Sequence, residues 1–181
     1  SARLRCSAAC SAAQAQALLA SGALPLDTRD GASFGAAHLP GSVHVMMGGQ
    51  FASWVGWVTR PEDQFVLVLP NASDYPNAAW RLLRIGYDRI HGWLDGGVAA
   101  WRQQGLPIEV LPQITVEELA RRIQSGEERP TVLDVRNPTE WKSGHIDGAT
   151  QCPANEIGSR TGLPEKGPLA VICAGGFRSS I

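Results

Sequence analysis

PLDTRDGASFGAAHLPGS (Pro25–Ser42) and VLDVRNPTEWKSGHIDGA (Val132–Ala149) are one pattern written twice. Asp27 aligns with Asp134, Arg29 with Arg136, Phe34 with Trp141, His38 with His145 and Gly41 with Gly148, all at one constant offset. Matched residue types at fixed spacing mark an internal repeat, so the chain holds two copies of one domain. The turn-rich GLPIEVLPQ (Gly105–Gln113) puts the boundary near Leu111 and Pro112, which predicts domains over 1–111 and 112–181.

Around the repeat each copy reads as α/β. In the first, AAQAQALLASG predicts a helix ending at Gly22, ALPLDTR a strand and HVMM a second strand. FASWVGWV follows as a short helix, FVLVL (Phe65–Leu69) as a fully buried strand and NAAWRLLRIG as a helix stopped by Gly86. RIHGWL then reads as a strand and GVAAWRQQG as a last helix. The second copy opens with Thr115 as N-cap and Glu118 three residues on, a capping box for VEELARRIQSG. Alternating strands and helices imply parallel sheets with helices on both faces. FVLVL aligns with LAVIC (Leu169–Cys173), and projecting the first copy onto the second predicts a second domain C-terminally incomplete, short of its last helix, strand and helix.

Chemistry concentrates in LAVICAGGFRSS (Leu169–Ser180). An apolar strand delivers Cys173 into a loop through Gly175 and Gly176 toward a helix start, a geometry that aims backbone N–H groups at the sulfur. With Arg178 nearby, the thiol pKa is expected to fall below its free value of about 8.5, leaving a nucleophilic thiolate at neutral pH. A buried, inert strand-end cysteine is the ordinary alternative, but such a cysteine needs no glycine-rich cationic loop. In parallel sheets ligands bind at the carboxyl ends of strands, where Cys173 lies.

Composition narrows the classes. In 181 residues, 44% are hydrophobic, enough for real cores, and a net charge of −1 offers no basic footprint for nucleic acid or anionic membrane. No apolar run approaches the roughly 18 residues of a membrane span. Four scattered cysteines, Cys6, Cys10, Cys152 and Cys173, suit a reducing compartment, so a cytoplasmic location is expected. Cys6 and Cys10 have no second ligand pair at metal-site spacing; neither metal nor cofactor is expected.

On the D-x-R, the W-x-x-G-H-I-x-G-A and the cysteine loop, Asp134, Arg136, Trp141–Ala149 and Cys173–Ser179, the chain resembles a tandem rhodanese. FASWVGWV and CAGGFRSSI are similar to the rhodanese region of fusion proteins whose upstream domain is a metallo-β-lactamase-fold persulfide dioxygenase. The resemblance implies that Cys173 takes sulfane sulfur from thiosulfate or a persulfide and passes it to a thiol or cyanide. It assigns a substrate cradle to Ala174, Gly175, Gly176, Phe177, Arg178 and Ser179, and loop support to Asp134 and Arg136. An upstream metallo-β-lactamase-fold domain is an implied partner, and a non-catalytic docking module is the rival reading.

The first copy departs from the pattern. Leu69 stands at the cysteine position, Pro70 lacks an N–H, and Asp74 would repel an anion, so this copy is expected to be inactive. Four residues separate Cys173 from Arg178. This C-x4-R loop suits one terminal sulfur better than the phosphate of a C-x5-R phosphatase or arsenate reductase. His38 and His145 recur in both copies and read as structural. Cys152 aligns with Val45 and reads as a core thiol. Trp54 and Trp57 read as packing residues.

Overall fold

Ser11 opens helix α1 (Ala12–Ala20) with a reciprocal cap: its hydroxyl accepts the Gln14 N–H at 3.3 Å, and the Gln14 side chain accepts the Ser11 N–H at 2.9 Å. Gly22, at φ +101°, ends the helix by turning the chain left-handed, so that the Ala23 N–H donates back to Leu18 at 3.1 Å. These details come from a computed structural model that describes residues 9–126, 129–163 and 167–181. Cys6 lies outside the described residues. The chain divides into two compact units, Ser1–Leu111 and Pro112–Ile181.

The first unit is a five-stranded parallel sheet. Its strands are β1 (Ala9–Cys10), β2 (Leu24–Asp27), β3 (Val43–His44), β4 (Phe65–Val68) and β5 (Ile90–Leu94), in the order β1-β5-β4-β2-β3. Four more helices connect them: α2 (Gly31–Ala36), α3 (Phe51–Val58), α4 (Tyr75–Leu83) and α5 (Gly97–Gln103). Every residue of β4 is fully buried, as an apolar central parallel strand should be. Val66 and Val68 pack with Ala12 and Ala15 of α1, Leu94, and Val98 and Trp101 of α5. Alternation sends Phe65 and Leu67 to the opposite face.

The second unit holds α6 (Val116–Ser125), β6 (Thr131–Asp134), α7 (Pro138–Lys142), β7 (Thr150–Gln151) and β8 (Leu169–Ile172), with sheet order β7-β6-β8. That order matches β3-β2-β4, and so does the register: Asp27 faces His44 and Val68 as Asp134 faces Gln151 and Ile172. Leu169 and Val171 are 45% and 36% exposed, whereas Phe65 and Leu67 are buried. β4 sits between β2 and β5, whereas among the described residues β8 pairs with β6 alone.

Several expectations need correction. The strand at HVMM extends no further than His44. Ala9–Cys10, which carries no strand signal of its own, pairs with β5 and is strand by tertiary context. Thr115 caps α6 through the Glu118 N–H at 3.2 Å, but Glu118 turns outward to Arg121 and Arg122, so half the capping box forms. Those two guanidiniums hold the Glu118 carboxyl at about 2. Trp54 is buried and meets Trp57 edge-on at 4.7 Å, but Trp57 itself is 55% exposed and packs on its neighbour rather than on the sheet.

Candidate active site

At the carboxyl end of β6, Asp134 is fully buried and clamped by Arg136, whose Nε and Nη2 donate to its two oxygens at 2.9 and 2.6 Å. Burial pushes the Asp134 carboxyl up, but the Arg136 hydrogen bonds outweigh it and hold it below its ordinary value. Nη2 of Arg136 also donates to the Gly144 carbonyl at 2.8 Å, which ties the end of α7 to the strand. The first unit repeats this geometry, with Arg29 on Asp27 at 2.6 Å and on the Ala37 carbonyl at 2.7 Å. The device is present in both copies, including the one with Leu69 in place of the loop cysteine.

The matched histidines also hold the same partners in both copies. His145 stacks on Trp141 at 3.7 Å and its Nδ1 bonds the Trp141 carbonyl at 3.1 Å. His38 stacks on Phe34 at 4.0 Å and bonds the Phe34 carbonyl at 2.9 Å. Cys152 is fully buried at the position of buried Val45.

β8 delivers Cys173 as its last backbone direction is fixed by the Val135 N–H donating to Ile172 at 3.0 Å. The chain then bends through Ala174, Gly175 and Gly176, the last at φ +79°, a conformation that favours glycine. A 3-10 turn over Arg178–Ser180 follows. The Ser179 hydroxyl lies 3.5 Å from the Cys173 sulfur, and the backbone N–H groups of Gly175, Ser179 and Arg178 bond it as well. Burial pushes this thiol up; the four donors prevail and bring it below its ordinary value. Burial pushes the Cys10 thiol up. Phe177 is half-buried, and Ala174, Gly175 and Gly176 are exposed at the mouth.

Arg178 holds a partner that the sequence reading did not single out. Its Nη1 and Nη2 donate to the two oxygens of Glu140 on α7 at 2.6 and 2.7 Å. Glu140 also accepts the Asn137 N–H at 3.2 Å, closing a capping box with the Asn137 side chain. Arg178 holds the Glu140 carboxyl at about 2, and Glu140 in turn holds Arg178 above its ordinary value, with a smaller contribution from the Cys173 sulfur. The signal was present in the repeat: the first copy has Ser33 where the second has Glu140, and Asp74 where it has Arg178.

In the first copy's loop Leu69 is buried in place of the thiol, and the Asp74 carboxylate accepts the Asn71 N–H at 3.2 Å. Among the described residues, no three His, Cys, Asp or Glu side chains come together to hold a metal, and no helix is long and apolar enough to cross a membrane.

Comparison with known proteins defines the class. The sequence pattern of the rhodanese-like domain matches residues 11–104 and again 115–181, so the chain belongs to the rhodanese-like domain family and carries it in tandem. It is 36% identical over 72 residues to the tRNA uridine(34) hydroxylase of Protochlamydia amoebophila, covering 34% of this chain and 22% of that protein. It is 39% identical over 70 residues to "Probable adenylyltransferase/sulfurtransferase MoeZ" of Mycobacterium tuberculosis, covering 37% of this chain and 18% of that one. The chain thus spans about a fifth of the length of these relatives. The crystal structure of the anaerobic ergothioneine biosynthesis enzyme from Chlorobium limicola shares the fold, with a TM-score of 0.51 at 21% identity over 82% of this chain and 41% of that one. At family level these likenesses attach the chain to sulfur-transfer chemistry.

Proposed function

We propose that the second unit is a sulfurtransferase that moves sulfane sulfur from thiosulfate or a persulfide to a thiol or cyanide acceptor through a persulfide on Cys173. The observation that carries this reading is the loop itself: the Ser179 hydroxyl stands 3.5 Å from the Cys173 sulfur, and hydrogen bonding from the loop lowers the thiol below its ordinary value. The thiolate attacks the outer sulfur of the donor, the donor's S–S bond breaks, and sulfite or a thiolate leaves with the electron pair. The cradle then holds the Cys173 persulfide anion until an acceptor thiolate takes its outer sulfur, giving ping-pong kinetics. Asp134 and Arg136 act as support, through α7 and Glu140. Intact-mass measurement after incubation with inorganic polysulfide tests the reading. A gain of sulfur confined to Cys173 and lost in Cys173→Ser is expected; no gain, or gain on another cysteine, overturns it.

For the first unit we propose a non-catalytic docking role, and a metallo-β-lactamase-fold persulfide enzyme is the partner that the sequence resemblance suggests. Two exposed indoles favour a docking role: Trp80, 60% exposed, and Trp57. Trp80 lines a groove of about 510 Å³ with Gly49, Ala52, Arg81, Arg84 and Ile85. Trp80→Ala should abolish co-purification of such a domain if this face is used; unchanged co-purification removes it.

A further inference from the structure

Resting on the sulfurtransferase reading, we propose that the Cys173 site selects organic persulfides over thiosulfate, with Glu140 as the residue that sets the choice. The loop from Ala174 to Ser179 contains one ionisable side chain, Arg178. Both terminal nitrogens of that guanidinium are engaged by the two oxygens of Glu140, so the pair presents almost no net charge to the sulfur. Arg136 is committed in the same way to buried Asp134 and to the Gly144 carbonyl. Lys142 lies two residues beyond Glu140 on α7, a spacing that does not share its face. The charges brought by loop and clamp therefore cancel largely in pairs, and Arg178, whose main partner is Glu140, adds only a smaller interaction with the sulfur to the loop's dipoles.

Dipoles suffice for one negative charge and fall short for three. When the Cys173 thiolate attacks thiosulfate, a monoanion meets a dianion; the new S–S bond forms as the old one breaks, and sulfite departs with two charges. When it attacks the outer sulfur of a neutral persulfide R–S–SH, only the thiolate is charged. The Cys173–sulfur bond forms, the donor S–S bond breaks, the electron pair leaves on R–S⁻, and the proton on the transferred sulfur passes to solvent. No external oxidant or reductant enters either route. The mouth fits the second donor: Ala174, Gly175 and Gly176 are exposed, and a Cβ added at either glycine would meet nothing within 4 Å, which leaves open, uncharged space for the group R.

The experiment follows sulfur uptake on Cys173 by intact mass with the persulfide of 2-mercaptoethanol, whose group R is uncharged, and with thiosulfate, each normalised to the rate at which the same donor reacts with free cysteine. The normalised preference for the persulfide is expected to be roughly 10- to 100-fold, the worth of a missing charge-assisted interaction. Glu140→Gln, which retains the shape but removes the neutralising charge, should raise the thiosulfate-to-persulfide ratio by about tenfold. Added salt should leave the wild-type thiosulfate rate flat or faster and should slow it in Glu140→Gln, because only the variant presents an unscreened cation. A normalised preference for thiosulfate in the wild type, or a thiosulfate rate that falls steeply with salt there, overturns the proposal even if the variant does not fold. Failure of every donor, polysulfide included, to load Cys173 instead overturns the sulfurtransferase reading itself.

Discussion

Ser179→Ala removes one of the four donors on the Cys173 sulfur, and the size of the effect follows from the geometry. Hydrogen bonds to charged groups contribute about 1.5–3 kcal/mol. The Ser179 oxygen stands 3.5 Å away and the thiol is partly exposed, so the lower end applies. That corresponds to a rise of about one pKa unit for Cys173. At pH values below the wild-type midpoint the thiolate fraction then falls about tenfold, but each remaining thiolate is a better nucleophile, with a Brønsted slope of about 0.4–0.5, so the net loss of rate there is roughly three- to fourfold. At high pH the variant should react faster than the wild type. The assay is the pH dependence of alkylation of the Cys173 peptide, read by mass so that Cys6, Cys10 and Cys152 do not contribute. A midpoint that stays in place, or moves down, refutes the claim that the side-chain donor stabilises the thiolate.

Other consequences are open to direct measurement. Arg136→Ala leaves a fully buried carboxylate uncompensated and should cost about 3 kcal/mol in thermal or denaturant unfolding. Because the clamp lowers the folded pKa of Asp134, its stabilisation is complete above the ordinary carboxylate value and is lost as pH falls through the lowered one; the gap between wild type and Arg136→Ala should narrow in acid, and a gap independent of pH would contradict the clamp. Leu69→Cys should not acquire sulfur in the first unit, because Pro70 offers no N–H and Asp74 already occupies the Asn71 N–H; a persulfide at position 69 in the mass spectrum would sink that account. Inserting one glycine between Gly176 and Phe177 should displace the donors by an ångström or more and slow sulfur transfer on the order of 100-fold. If the unmodified loop hydrolyses aryl phosphates faster than it transfers sulfur, the loop-length argument fails.

The fold was legible because it rests on local and periodic signals. The duplicated D-x-R to G-H segment marked the repeat, the apolar FVLV run marked a strand buried on both faces, and Cys-Ala-Gly-Gly marked the turn that follows β8. What lay hidden depends on residues far apart in the chain. Glu140 and Arg178 are 38 positions apart, and nothing local to NPTEW says that its glutamate, already used to cap α7, also neutralises the loop's cation. The exposure of Leu169 and Val171 was hidden for the same reason, since a strand's apolar pattern does not record what packs on its faces. Sequence by itself determined which residues are able to react and which turns they ride on, because covalent geometry and residue type act over a few positions. Tertiary structure alone decided which charges meet, and so what net charge the sulfur faces, because that balance is set by distances in space.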